Sequence, residues 1–154
     1  MKIYSNSFKN GDILPNNQVL NAYGLSGGNV SPQLSFDDIP NNAKSLALVC
    51  HDPDAPKENG WYHWLVLNIP INVKAFDEGM EIPYLETLTD FNKTGYDGAA
   101  PPVGHGVHHY NFTIYALDVE NLEVSKDMPP KMTEDLIKSH AIESSTITAI
   151  YERK

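Results

Sequence analysis

Three runs of strand-forming residues constrain this chain more than anything else in it. Ser45 to His51 reads SLALVCH, Tyr62 to Ile69 reads YHWLVLNI, and Tyr110 to Asp118 reads YNFTIYALD. Each is rich in β-branched, aromatic and aliphatic side chains, which suit a pleated surface, and each is bounded by turn formers. In the third run Phe112, Ile114 and Ala116 alternate with Thr113, Tyr115 and Leu117, so neither face is polar throughout. Such a strand is expected to be covered on both sides. Eleven prolines and ten glycines are spread along the chain and cut the remainder into short pieces. The sequence has no internal repeat, no repeated βαβ alternation and no glycine-rich phosphate loop, which argues against a nucleotide-binding α/β domain.

The other elements follow from the same reasoning. The stretch TEDLIKSHA, Thr133 to Ala141, is the best helix candidate. Thr133 is placed to cap it, Glu134 and Asp135 suit the positive end of the helix dipole, and Leu136, Ile137 and His140 share one face. Ser145 to Arg153 reads as a final strand, and Asn10-Gly11 is a hairpin signal. Gly24 to Phe36 reads as a loop with a short extended end. Many short strands and one late helix predict a mostly β fold, with a central antiparallel sheet and few peripheral helices. At 154 residues the expectation is a single domain over residues 1–154.

The formal net charge of −9 argues against a nucleic-acid or anionic-membrane binder, because phosphate backbones require a basic face. Solubility alone accounts for such a charge. The one cysteine, Cys50, lies inside an apolar run and reads as a buried small hydrophobe rather than a nucleophile. The opening residues MKIYSNSF carry no apolar signal core, so a cytoplasmic location is expected.

Polar side chains gather at the ends of the three strands. Asp52 and Asp54, in the rigid acidic segment HDPDAP, follow the first; His63 opens the second; His108 and Tyr110 open the third. If the strands are neighbours, these ends meet at one rim of the sheet. A carboxylate beside an imidazole orients it and favours its charged form. Asp52 would then orient a histidine, and His63 and His108 would contact the negative oxygens of a ligand. Amides near Gly95, Gly98, Gly104 and Gly106 would add donors. Asp-Pro-Asp is equally a turn device whose carboxylates accept main-chain N–H groups, and a histidine at a strand end is commonly just a surface residue.

Asp52, Asp54, His63, His105, His108 and His109 supply metal-ligand types, but no recognised ligand spacing is present. His108 and His109 are adjacent, so on a strand they face opposite ways. No Gly-x-Ser-x-Gly elbow occurs, and Ser31 reads as a turn cap rather than a nucleophile. No cofactor is expected. A hydrolase or isomerase using Asp52 with His63 or His108 as acid and base is the enzymatic alternative. A protein-interaction scaffold with a vestigial pocket is a third.

Taken in order, HDPDAP, GWYHWLVLNIP and GYDGAAPPVGHGVHHYNFTIYALD resemble the phosphatidylethanolamine-binding protein family, most of all its bacterial and archaeal branch of Raf kinase inhibitor-like proteins. GGNVSPQLSF and the tail SHAIESSTITAIYER are similar to further segments of that family. The resemblance implies a central antiparallel sheet packed against a smaller second sheet, and a cis peptide bond from Ala55 to Pro56. It implies a ligand pocket carried by Asp52, Asp54, His63, Gly95, Pro101, His108 and Tyr110, taking phosphate, phosphoethanolamine-type groups or acetate. His109 stands where relatives commonly have Arg, and Ala99 where many have Pro. A shorter, only sometimes charged His109 is expected to hold the pocket loop less firmly. The leading expectation is a regulatory binding protein for a small anion or a phosphorylated protein side chain, with homodimers as in relatives and no lasting membrane association.

Overall fold

The computed structural model describes residues 1–154. In chain order the elements are β1 (Lys2–Tyr4), β2 (Leu34–Asp37), β3 (Ser45–Asp52), β4 (Trp61–Ile69), β5 (Ala75–Phe76), β6 (Leu85–Glu86), β7 (His108–Leu117), α1 (Pro130–His140) and β8 (Ala141–Tyr151). They form a small sheet in the order β1-β2-β5 and a five-stranded sheet in the order β6-β4-β3-β7-β8. All strand pairs within both sheets are antiparallel. The three runs of strand formers are therefore adjacent at the centre of the larger sheet.

Their alternation decides what covers each face. Leu46, Leu48, Cys50, Phe112, Ile114 and Ala116 pack toward the small sheet, against Ile3, Leu34, Phe36 and Phe76. Ala47, Val49, Tyr115 and Leu117 point the other way and meet Ile137 of α1. Both faces of the central strands are thus dry. Burying a side chain of this size stabilises by about 1.5–3 kcal/mol, so these two layers hold the sheet in place. Cys50 is 1% exposed, and burial pushes its thiol well above the ordinary range.

The last strand runs from Ala141 to Tyr151 rather than from Ser145 to Arg153, and the helix start and the Asn10-Gly11 turn also differ from expectation. The helix starts at Pro130 rather than at Thr133, because proline at the first helical position has its φ preset and lacks only an N–H that would be unpaired anyway. Thr133 instead lies inside the first turn, its N–H donating to the Pro129 carbonyl at 3.1 Å. Asn10-Gly11 makes a turn but no hairpin: the Gly11 N–H donates to Thr148 O at 2.7 Å, and the Asn10 side chain accepts from the Thr148 N–H at 2.9 Å. This turn docks along β8 instead of joining two neighbouring strands.

The expected cis proline is also corrected, since all peptide bonds, Ala55–Pro56 included, are trans. The chain reverses by other means. The Asp54 N–H donates to Asp52 Oδ1 at 2.8 Å, and the Lys57 N–H donates to Ala55 O at 2.8 Å. Gly60 completes the turn at φ +67°, where a Cβ would lie 2.2 Å from the Asp52 carbonyl oxygen. Only glycine fits so close to another backbone.

Candidate functional site

A cavity of about 280 Å³ opens at the rim where β3, β4 and β7 begin or end. Its polar lining comes from Asp52, His63, His108 and Tyr110, each at most 3% exposed. Parity puts three of them there. Asp52 follows Leu48 and Cys50 on the face turned to the small sheet, and His108 and Tyr110 precede Phe112 on that same face.

His63 reaches the cavity through an irregularity. In the pairing of β3 with β4, Cys50 lies opposite Trp64 and the next residue, His51, lies opposite Tyr62, so His63 is the extra residue of a β-bulge. Trp64 and Val66 face the small sheet, while Tyr62, Leu65 and Leu67 face the helix. Strict alternation would send His63 toward the helix. The bulge re-aims it to the side of Trp64, a common use of bulges beside functional sites.

The hydrogen bonds fix both imidazoles. Asp52 Oδ2 lies 2.6 Å from His108 Nδ1, a buried pair, and His108 Nε2 lies 2.7 Å from His105 Nδ1. The expected Asp52-to-histidine orientation is present. The outer nitrogen of His108, however, is held by His105 instead of pointing freely inward. His63 Nδ1 lies 2.8 Å from the carbonyl oxygen of Asp97. A carbonyl only accepts, so Nδ1 carries the proton. Burial pushes the His63 imidazole below its ordinary value, and the Asp97 carbonyl with the Asp52 and Asp97 carboxylates only partly oppose this. Burial thus favours the neutral form of His63. Tyr110 is held protonated by burial, reinforced by the charge of Asp52.

Two buried donors on residues that line the cavity, the Tyr110 hydroxyl and Trp61 Nε1, make no well-formed hydrogen bond within the protein, Asp52 being the acceptor nearest in influence to the Tyr110 hydroxyl. Phe91 stands against both Trp61 and His63 at ring separations of 5.3 and 5.4 Å. Tyr23, Ala55, Pro56, Ala100, Pro101 and Pro102 complete a largely apolar wall. One cation is at hand: Lys57 lines the cavity, with Nζ 3.1 Å from Asp90 Oδ1 and 5.9 Å from the Trp61 ring centre.

Of the seven residues read from the sequence, Asp52, His63, Pro101, His108 and Tyr110 line this cavity. Asp54 does not. It sits at the outer edge, where Oδ2 accepts from both the main-chain N–H and the ring of His109, each at 2.8 Å. Partial burial pulls the Asp54 carboxyl up, but the bonds to His109 and its charge outweigh this and hold it below its ordinary value. His109, outward on β7, thus pins the acidic turn.

Gly95 lies in a different depression, with Trp64, Glu86 and Tyr96. The amides expected as ligand donors are partly committed elsewhere: Gly98 N–H to Asn29 Oδ1 at 2.8 Å and Gly104 N–H to Arg153 O at 2.7 Å. Tyr23, Lys57, Trp61, Phe91 and Pro102 were not legible as lining residues. Only Trp61 carried a signal, being two residues from His63 at the mouth of a core strand.

A second, more polar hollow on the opposite face holds Glu134 between two phenols. Tyr62 O–H donates to its Oε1 at 2.6 Å and Tyr115 O–H to its Oε2 at 2.9 Å. Burial and this carboxylate raise both phenols. Its acceptors are satisfied within the fold.

A family model described as phosphatidylethanolamine-binding protein matches residues 4–152. The UPF0098 protein YbhB of Escherichia coli is 42% identical over 158 residues, covering 98% of this chain and 99% of that protein. The crystal structure of E. coli YbcL, described as a new member of the mammalian PEBP family, superposes with a TM-score of 0.94 at 33% identity, covering 99% and 98% of the two chains. A homolog from Chlamydia trachomatis, CT736, superposes at 0.85 with 32% identity, covering 99% and 97%.

Proposed function

This chain belongs to the phosphatidylethanolamine-binding protein family, and from that premise we propose that it is a binding module whose Asp52–His108 cavity captures a small oxyanion such as a phosphoryl group. The observation that carries this reading is the pair of unpartnered donors, Tyr110 O–H and Trp61 Nε1–H, in the lining of one buried cavity. A buried donor left unpaired costs about 1–3 kcal/mol. A ligand bearing several acceptor oxygens removes that cost for both at once. Lys57 at the wall is a cation already paired with Asp90 at 3.1 Å, and the buried Asp52–His108 hydrogen bond holds the floor in shape. The apolar wall suits whatever carries the oxyanion. Tyr23, which lines the cavity, is 76% exposed, so the rim remains open to a larger molecule such as a phosphorylated protein.

The test is a phosphate titration followed by two-dimensional NMR. Shifts are expected to concentrate at Trp61, His63, His108 and Tyr110. Tyr110→Phe should weaken binding by roughly tenfold or more, the loss of one hydrogen bond to a charged group. Tyr115→Phe, across the sheet from the cavity, serves as the control and should change affinity little. Shifts confined to other surfaces, or none at millimolar phosphate, would overturn the reading.

A further inference from the structure

The lining does not treat all oxyanions alike. The Tyr110 hydroxyl and Trp61 Nε1 are donors without a well-formed protein hydrogen bond, whereas His63, bonded only through Nδ1, offers an acceptor. Its Nδ1 proton is committed to the Asp97 carbonyl at 2.8 Å, and Asp97 is itself held by Asn29 at 2.9 Å and Lys93 at 3.0 Å. The tautomer is therefore locked from behind, and the other ring nitrogen, Nε2, carries a bare lone pair with no protein partner. An oxygen that brings no hydrogen would meet that lone pair as one electron-rich atom meets another.

We propose that the cavity selects oxyanions that carry their own proton, namely phosphate and phosphate monoesters, over phosphodiesters and sulfate, with His63 Nε2 accepting that proton. This rests on the reading that the cavity takes an oxyanion at all. A monoester loses its second proton near pH 6, so at neutral pH a fraction still bears a P–OH and the rest regains it on binding. A phosphodiester, the linkage of an intact phospholipid head group, has no such proton. It binds only if His63 is first protonated inside the fold.

The groups facing His63 make that protonation unfavourable in sum. Asp52 and Asp97 favour it. Burial among Phe91 and Tyr110, the larger effect, and the charge of His51 oppose it. A site built to receive a substrate hydroxyl discriminates strongly against an analogue lacking it, because its own polar atom is left unpaired.

The experiment is titration calorimetry of the full chain with phosphoethanolamine, with its diester glycerophosphoethanolamine, and with sulfate. Each is run near pH 7 and about pH 8 in two phosphate-free buffers of different ionisation enthalpy, so that protons taken up are counted. The monoester should bind about tenfold or more tightly than the diester or sulfate near pH 7, and take up close to one proton at the higher pH. Equal affinity for all three, or monoester binding without proton uptake at the higher pH, would overturn the selection while leaving the oxyanion site intact. No heat with any of the three, from protein shown to be folded by circular dichroism, would bring down both readings.

Discussion

Asp52→Asn is the most informative single change, because it alters hydrogen-bond chemistry while keeping shape. Asp52 is 2% exposed and uses both oxygens: Oδ1 accepts the Asp54 N–H at 2.8 Å, and Oδ2 pairs with His108 Nδ1 at 2.6 Å. An amide offers one oxygen and one NH₂. With the Asp54 amide fixed by the turn, the oxygen goes to it and the NH₂ faces His108. His108 can answer by moving its proton to Nε2, where it donates to His105 Nδ1 across 2.7 Å, leaving Nδ1 to accept from the new amide. The loss is then the difference between a charge-assisted and a neutral bond, about 1–2 kcal/mol. For a chain of this size that lowers Tm by about 2–8 °C. Asp52→Ala leaves two buried donors without acceptors and should cost about 3–5 kcal/mol, the range for breaking a buried pair. Thermal unfolding gives the energies, and long-range ¹H–¹⁵N spectra of His108 report which ring nitrogen bears the proton. The reasoning fails if Asp52→Asn is as stable as the parent with the proton still on Nδ1, or if Asp52→Ala costs no more than Asp52→Asn.

Three further outcomes follow from the same packing and hydrogen bonds. Tyr62→Phe or Tyr115→Phe removes one phenol donor from buried Glu134 and should cost about 1.5–3 kcal/mol in chemical denaturation, while phosphate affinity stays unchanged because the cluster lies across the sheet from the cavity. The folded carboxyl of Asp54 titrates below its ordinary 3.8, so its contribution to stability is fully present above that value and is lost as pH falls through the lower folded one. In His109→Ala the carboxyl midpoint, followed by ¹³C NMR, should climb back to 3.8 or higher. Gly98→Ala places a Cβ 2.1 Å from Gln18 O and 2.7 Å from Leu20 N, both main chain, and should destabilise by about 1–3 kcal/mol or more in thermal unfolding.

The fold was legible where side-chain pattern alone decides it. The two-sided alternation of Phe112, Ile114 and Ala116 against Tyr115 and Leu117 reports a strand dry on both faces, and β7 packs that way. Element ends were less legible. Thr133 has the chemistry of a cap, yet Pro130 three residues earlier has a backbone already shaped for the helix and starts it. At Asn10-Gly11 the residues specify a turn but not its partner, because the acceptor, Thr148 O, is at the far end of the chain. Local residues specify a bend. They do not specify what it packs against.

The same distinction explains which site residues could be foreseen. Asp52, His108 and Tyr110 reach the cavity by simple parity from the buried residues next to them, so knowing that β3 and β7 are neighbours is enough. His63 reaches it only because β4 carries one extra residue opposite Cys50 and His51, and no residue type in YHWLVLNI announces that bulge. Counting by twos along β4 would put His63 among Leu65 and Leu67, under the helix. Gly95 fails for a related reason: glycine signals that backbone can approach something closely, not what it approaches. Tyr23, Lys57 and Phe91 come from loops whose routes depend on contacts far away in sequence, such as Arg153 holding Tyr23 O at 3.1 Å. The acceptor character of the cavity thus hangs on one backbone irregularity. Restoring regular pairing by deleting Tyr62, so that His63 lies opposite His51, would turn the His63 lone pair toward the helix face and abolish the discrimination between monoester and diester.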